Sequence, residues 1–61
     1  MSLWKTFPLN IPDDLEEVWV RVEYYYGAPF LAVYDLATEN FVSSINSITF
    51  PAWTISRWKP Q

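Results

Sequence analysis

The chain has no cysteine and no histidine. Without cysteine there is no disulfide framework, no thiolate zinc site and no thiol nucleophile; without histidine the commonest metal ligand and the general base that titrates nearest neutrality are gone as well. Gly27 is the one glycine, which excludes a phosphate-binding P-loop, a dinucleotide-binding fingerprint and a Gly-x-Ser-x-Gly nucleophile elbow. Cations are scarce: Lys5, Arg21, Arg57 and Lys59 stand against seven acids, for a net charge of -3. Such a molecule repels a polyanionic backbone as a whole, so nucleic acid is not an expected partner. No apolar run approaches the roughly 20 residues of a membrane-spanning helix, and the N-terminus lacks the basic-then-apolar order of a secretory signal. No membrane partner and no cofactor are expected, and cytoplasmic residence is the default expectation.

Aromatic residues are abundant, with four each of Trp, Tyr and Phe in 61 residues. A chain of this length is one domain, residues 1–61, with Met1 to Leu3 read as partly an expression remnant. A fold so small hides only about 60% of the surface its unfolded chain exposes, and with no cross-link it needs bulky rings to close a core. The other use for the rings is a surface covered by a second subunit or a ligand.

Val18-Trp19-Val20-Arg21-Val22 is the organising stretch: valines at every second position predict a strand with one uniformly apolar side and Trp19, Arg21 and Glu23 on the other. Extended from Glu17 to Tyr26 it would be about 33 Å long, so a bend or bulge is expected at Tyr24-Tyr25-Tyr26. Gly27 is expected to supply a positive φ in a tight hairpin turn leading into Phe30 to Asp35, a central strand apolar on both sides. A second hairpin through Asp35 to Asn40 brings in Phe41 to Ser44. Ile48 to Phe50 alternates again, and Trp53 to Lys59 reads as a last strand with Trp53, Ile55 and Arg57 on one side and Thr54, Ser56 and Trp58 on the other. Trp4 to Phe7 suits a short edge strand ended by Pro8. Pro12-Asp13-Asp14-Leu15-Glu16-Glu17 fits either one helical turn or an irregular acidic loop, and it lacks the spacing of a calcium loop. The expected fold is all-β: a small antiparallel meander of four to five strands, an SH3-like half-barrel or a curled sheet, with at most one short helical turn near residues 12–17.

Two places carry candidate recognition chemistry. Trp19, Arg21 and Tyr25 project together if the valines face inward, and Trp, Tyr and Arg are the residue types that dominate interface hot spots. Arg57-Trp58-Lys59 interleaves cations with an indole, the composition of a stacking site, but the favoured reading of these residues is a strand end whose Trp58 packs while its cations meet the acidic segment. The acids cluster in one segment, so no catalytic carboxylate pair is expected.

Trp4-Lys5, the proline-acid loop, Val18-Trp19-Val20, Pro29-Phe30-Leu31-Ala32-Val33-Tyr34, Phe41 and the closing Trp58-Lys59-Pro60 together give a layout. It resembles the small phage and prophage proteins catalogued as domain of unknown function 551, with Arg57 where members often have a histidine. The resemblance implies a mobile-element accessory protein and no established activity. The expected function is a non-catalytic interaction module that binds a protein partner or itself, as a homodimer, through Trp19, Arg21, Tyr25 and Trp58. The alternative is a small-molecule or carbohydrate-binding domain with exposed tryptophans.

Overall fold

The structure is a computed structural model and describes residues 3–22 and 27–61. Six antiparallel strands form one open sheet: β1 (Lys5–Thr6), β2 (Glu17–Val22), β3 (Phe30–Asp35), β4 (Asn40–Ser43), β5 (Thr49–Pro51) and β6 (Ile55–Pro60), in the spatial order β1-β6-β2-β3-β4-β5. The all-β class is as expected. The strand count is one higher than expected, and the run from β2 to β5 is the meander, onto whose free β2 edge the chain returns with β6.

That return forces the sheet to curl. Between β5 and β6 lies only a three-residue 3-10 turn, Ala52–Thr54, yet the two strands are four positions apart in the sheet. In a flat sheet four spacings would be about 19 Å, whereas four residues reach at most about 14 Å extended and about 8 Å in a 3-10 helix. The sheet therefore bends round until its β5 side approaches β6, the half-barrel arrangement.

The concave side holds the core. Val18 and Val20 of β2 are fully buried, and Ala32, Tyr34, Phe41, Ala52, Ile55 and Trp58 are buried with them. Cross-strand register explains the grouping, since Val18 faces Ala32, Tyr34 faces Phe41 and Val20 faces Trp58. Phe7, Tyr34 and Phe41 form an edge-to-face and tilted cluster with centroids 4.8 to 6.0 Å apart, a spacing at which aromatic pairs add about 0.5–1.5 kcal/mol beyond burial.

The last strand departs from the simple alternation. Arg21 pairs with Arg57 while Val22 pairs with Ile55, so Ser56 is an extra residue on β6 and its hydroxyl donates to the Arg21 carbonyl at 3.3 Å. Such a bulge resets the alternation. Ile55 and Trp58, expected on opposite sides, both point into the core.

The helical turn is likewise not where the proline and acids suggested. Residues 12–17 contain only a turn at Asp14 and Leu15, the latter with φ 62, before β2 begins. Backbone bonds dock this turn on the C-terminal end of β3, with the Leu15 amide donating to the Tyr34 carbonyl at 2.6 Å and the Tyr34 amide to the Glu16 carbonyl at 3.1 Å. Among the described residues the positive φ values fall at Leu15, Glu39 and Ser47 and at no glycine. The bend expected in the tyrosine run falls on residues 23–26, outside the described residues.

Val20→Asp places an unpaired charge in this core, at a cost exceeding the few kcal/mol available to so small a domain. The expected result is loss of the cooperative thermal transition. Deleting Ser56 leaves Ile55 and Trp58 two positions apart on a regular strand, both still facing the core, so the shortened chain should keep a cooperative transition, and Ser56→Ala should melt within a few degrees of the parent.

Candidate interaction face

The convex side of the sheet carries the outward residues of β2, which are Glu17, Trp19 and Arg21. Register places Lys59 of β6 on one side of Trp19 and Leu31 of β3 on the other. Trp19, Leu31, Val33 and Val42 are all half-buried there. Arg21 lies directly opposite Arg57, and both are exposed.

The segment entering β1 completes the face. The Arg21 guanidinium stands 5.7 Å from the centre of the Trp4 ring and the Lys59 ammonium 5.0 Å from it, so one indole sits between two cations. A third cation, Lys5, stands 5.1 Å from the Trp58 ring. Contacts of this kind at exposed sites contribute about 0.5–1 kcal/mol each. Two guanidinium groups directly opposite one another on neighbouring strands work the other way, by roughly 0.2–1 kcal/mol. Lys5, Arg21, Arg57 and Lys59, the chain's whole complement of cations, thus belong to three adjacent strands.

Of the four residues expected to form an interaction surface, Trp19 and Arg21 share this face. Trp58 does not: it is 4% exposed, and its Nε1 donates to the Asn10 carbonyl at 2.8 Å, which ties the Phe7-to-Ile11 segment over the core. The bulge at Ser56 is the reason, since it puts Trp58 on the valine side. Tyr25 lies outside the described residues. Trp4, Arg57 and Lys59 join the face instead. Their proximity to Trp19 was not readable from spacing, because it arises only when β6 pairs with the far edge of β2.

Apart from Glu17, the acids of the described residues lie elsewhere. The Asp14 carboxylate accepts the Leu36 amide at 3.0 Å, and Asp35 accepts the Ala37 amide at 3.1 Å, so both fasten the β3–β4 hairpin. Glu17, on the convex side, accepts the Ser44 hydroxyl at 2.6 Å. Lys59, expected to meet the acidic segment, stands over the Trp4 ring instead. No group of three or more acidic side chains among the described residues could hold a metal ion, and among the described residues no helix is long and apolar enough to cross a membrane.

One titratable group feels the acidic end directly. Tyr34 is 2% exposed, and burial first, then the charges of Glu39, Asp14 and Asp35, raise its hydroxyl above the ordinary value of 10.0. A larger apolar cleft of about 600 Å³ is bordered by Val22, Pro29, Phe30, Ile45 and Phe50, with no charged group among the described residues that line it.

No family model, no curated protein and no solved structure matches the chain.

The Tyr34 environment gives a pH dependence of definite sign. The folded state holds the proton more tightly than the unfolded state, so the stabilisation is fully present below about pH 10 and is lost as pH rises through the raised native value. Denaturation midpoints measured across that range should fall for the parent, and Tyr34→Phe should remove the Tyr34 share of the decline.

Proposed function

We propose that the protein is a non-catalytic interaction module that binds a protein partner through the convex face of β1, β6 and β2. Trp4 and Trp19 serve as its aromatic anchors, and Arg21, Arg57 and Lys59 meet carboxylates of the partner. The observation that carries this reading is the Arg21–Arg57 pair held opposite one another beside Trp19. A partner carboxylate between the two guanidinium groups turns their repulsion into attraction, and Trp and Arg are the types that concentrate binding energy at interface centres.

A second copy of the chain qualifies as such a partner, because Asp13 and Asp14 are exposed at the turn before β2. In a two-fold homodimer each copy offers both the cationic face and the acidic turn, so the contact is made twice. The resemblance to the phage and prophage family supports an accessory role for the module. A second reading rests on a shallow cleft of about 200 Å³ between Trp4, Trp19, Pro29 and Lys59. Two indoles beside a cation suit a flat small molecule such as a sugar ring.

Light scattering across a concentration series separates these readings. Self-association gives a mass that rises toward the dimer and stays monomeric in Trp19→Ala with Arg21→Glu. A photo-crosslinker at Arg57 should capture a partner, and the same double variant should lose it. If the double variant remains folded and keeps the mass and crosslinks of the parent, the face is not the interface. A saturable change in tryptophan emission on titration with sugars, absent in Trp19→Ala, would move the assignment to the second reading.

A further inference from the structure

A second cleft, of about 400 Å³, opens between the Phe7-to-Ile11 segment, Tyr34 and the Ala52–Thr54 turn. Volumes of this order are those of small-molecule sites. Its walls include three aromatic residues from distant parts of the chain, Phe7, Tyr34 and Trp53, and its one charged lining residue is Glu39.

Each part of the cleft is held by the fold. Phe7 and Tyr34 pack edge to face with centroids 6.0 Å apart, which fixes the floor. The Ala52 amide donates to the Glu39 carbonyl at 2.9 Å, and the Thr54 hydroxyl to the Pro51 carbonyl at 2.7 Å, so the turn bearing Trp53 is locked to the residue that supplies the carboxylate. Trp53 itself is 79% exposed, and its burial explains nothing about the core. Glu39 has φ 56, in the left-handed region that glycine or asparagine occupies at less cost. A carboxylate therefore stands at a position where backbone preference alone favours another residue.

We propose that this cleft binds an alkylated ammonium group, with Phe7, Tyr34 and Trp53 facing the cation and Glu39 as its counter-charge.

Three features select this ligand class. Aromatic faces present the negative side of their quadrupole, and quaternary and methylated ammonium groups are the cations recognised in this way with least hydration to lose. Pro8, Ile11, Ala52 and Ile55 complete the lining, so a metal ion or a bare ammonium would exchange most of its water for the single Glu39 carboxylate, whereas methyl groups pack against such a wall. The local field has the matching sign, because the carboxylates of Glu39, Asp14 and Asp35 all disfavour a negative charge on the Tyr34 oxygen. The site is independent of the convex face, whose residues it does not share.

The test is a titration of the intact 61-residue protein with tetramethylammonium and choline, followed by the indole and backbone amide NMR signals. The proposal expects saturable shifts of the Trp53 indole and of the Glu39 and Ala52 amides. The neutral isostere of choline, 3,3-dimethylbutan-1-ol, should bind at least about tenfold more weakly, the factor that corresponds to the loss of one good cation–π contact. Trp53→Ala, at an exposed position, should stay folded and abolish the shifts, and Glu39→Gln should weaken them severalfold. A peptide bearing N-trimethyllysine distinguishes the source of the group: tighter binding than choline assigns it to a modified side chain, and equal or weaker binding assigns it to a small molecule. Equal binding of the neutral isostere, shifts confined to Trp4 and Trp19, or no shift at tens of millimolar ligand would each overturn the proposal.

Discussion

The pairing of β6 against the free edge of β2 is the constraint on which the rest of this structure depends. Four strands in a row, β2 to β5, would make a sheet with one bare apolar side, and nothing in so short a chain could cover it. Because only a 3-10 turn separates β5 from β6, reaching β2 obliges the sheet to roll up, and rolling up is what encloses Val18, Val20, Phe41 and Ile55. The same pairing adds β1 as the outermost strand and carries Trp4 and Lys59 to the neighbourhood of Trp19. Core and convex face are thus two results of one strand pairing.

The charge distribution follows from this topology. Cations occur near the two ends of the sequence and on β2, which the fold makes adjacent; acids occur in the turn before β2 and around the β3–β4 hairpin, which hydrogen bonds through Asp14 and Asp35 draw together. A chain whose net charge is only -3 therefore presents a cationic, indole-bearing side and an acidic, aromatic end. The net value describes neither region, and an argument from it alone misses that each attracts a different kind of group.

The alternation of Val18, Val20 and Val22 made β2 legible, because a period of two with a uniform apolar side has one simple solution. The first hairpin pairing, the β3–β4 hairpin and the edge position of β1 were legible for similar reasons. The orientation of Trp58 was not. A bulge such as that at Ser56 leaves no mark in residue type, and a single inserted residue reverses every side chain beyond it. The 3-10 turn at Ala52–Thr54 was hidden for another reason: Pro51 and Trp53 read as readily as the approach to a strand, and the turn forms because a short connection has to change direction there. Two of the five residues of the convex site, Trp19 and Arg21, came from a local pattern; Trp4, Arg57 and Lys59 depend on contacts between chain ends that local patterns do not encode. The cleft walled by Phe7, Tyr34 and Trp53 is assembled from three separate segments and had no signature at all.

The two strands at the margins of the sheet bear on how the molecule behaves when crowded. β1 has two residues and β5 three, the latter ending in Pro51, which has no amide hydrogen to give. An exposed sheet margin is ordinarily a template on which another chain can extend the ladder, and brevity and proline are the means by which natural sheets deny that template. Lys5 places a charge on the other margin. Polymerisation through backbone hydrogen bonds is thereby disfavoured at both ends, and a molecule rich in aromatic residues can stay dispersed while keeping Trp4, Trp19 and Trp53 at the surface for recognition.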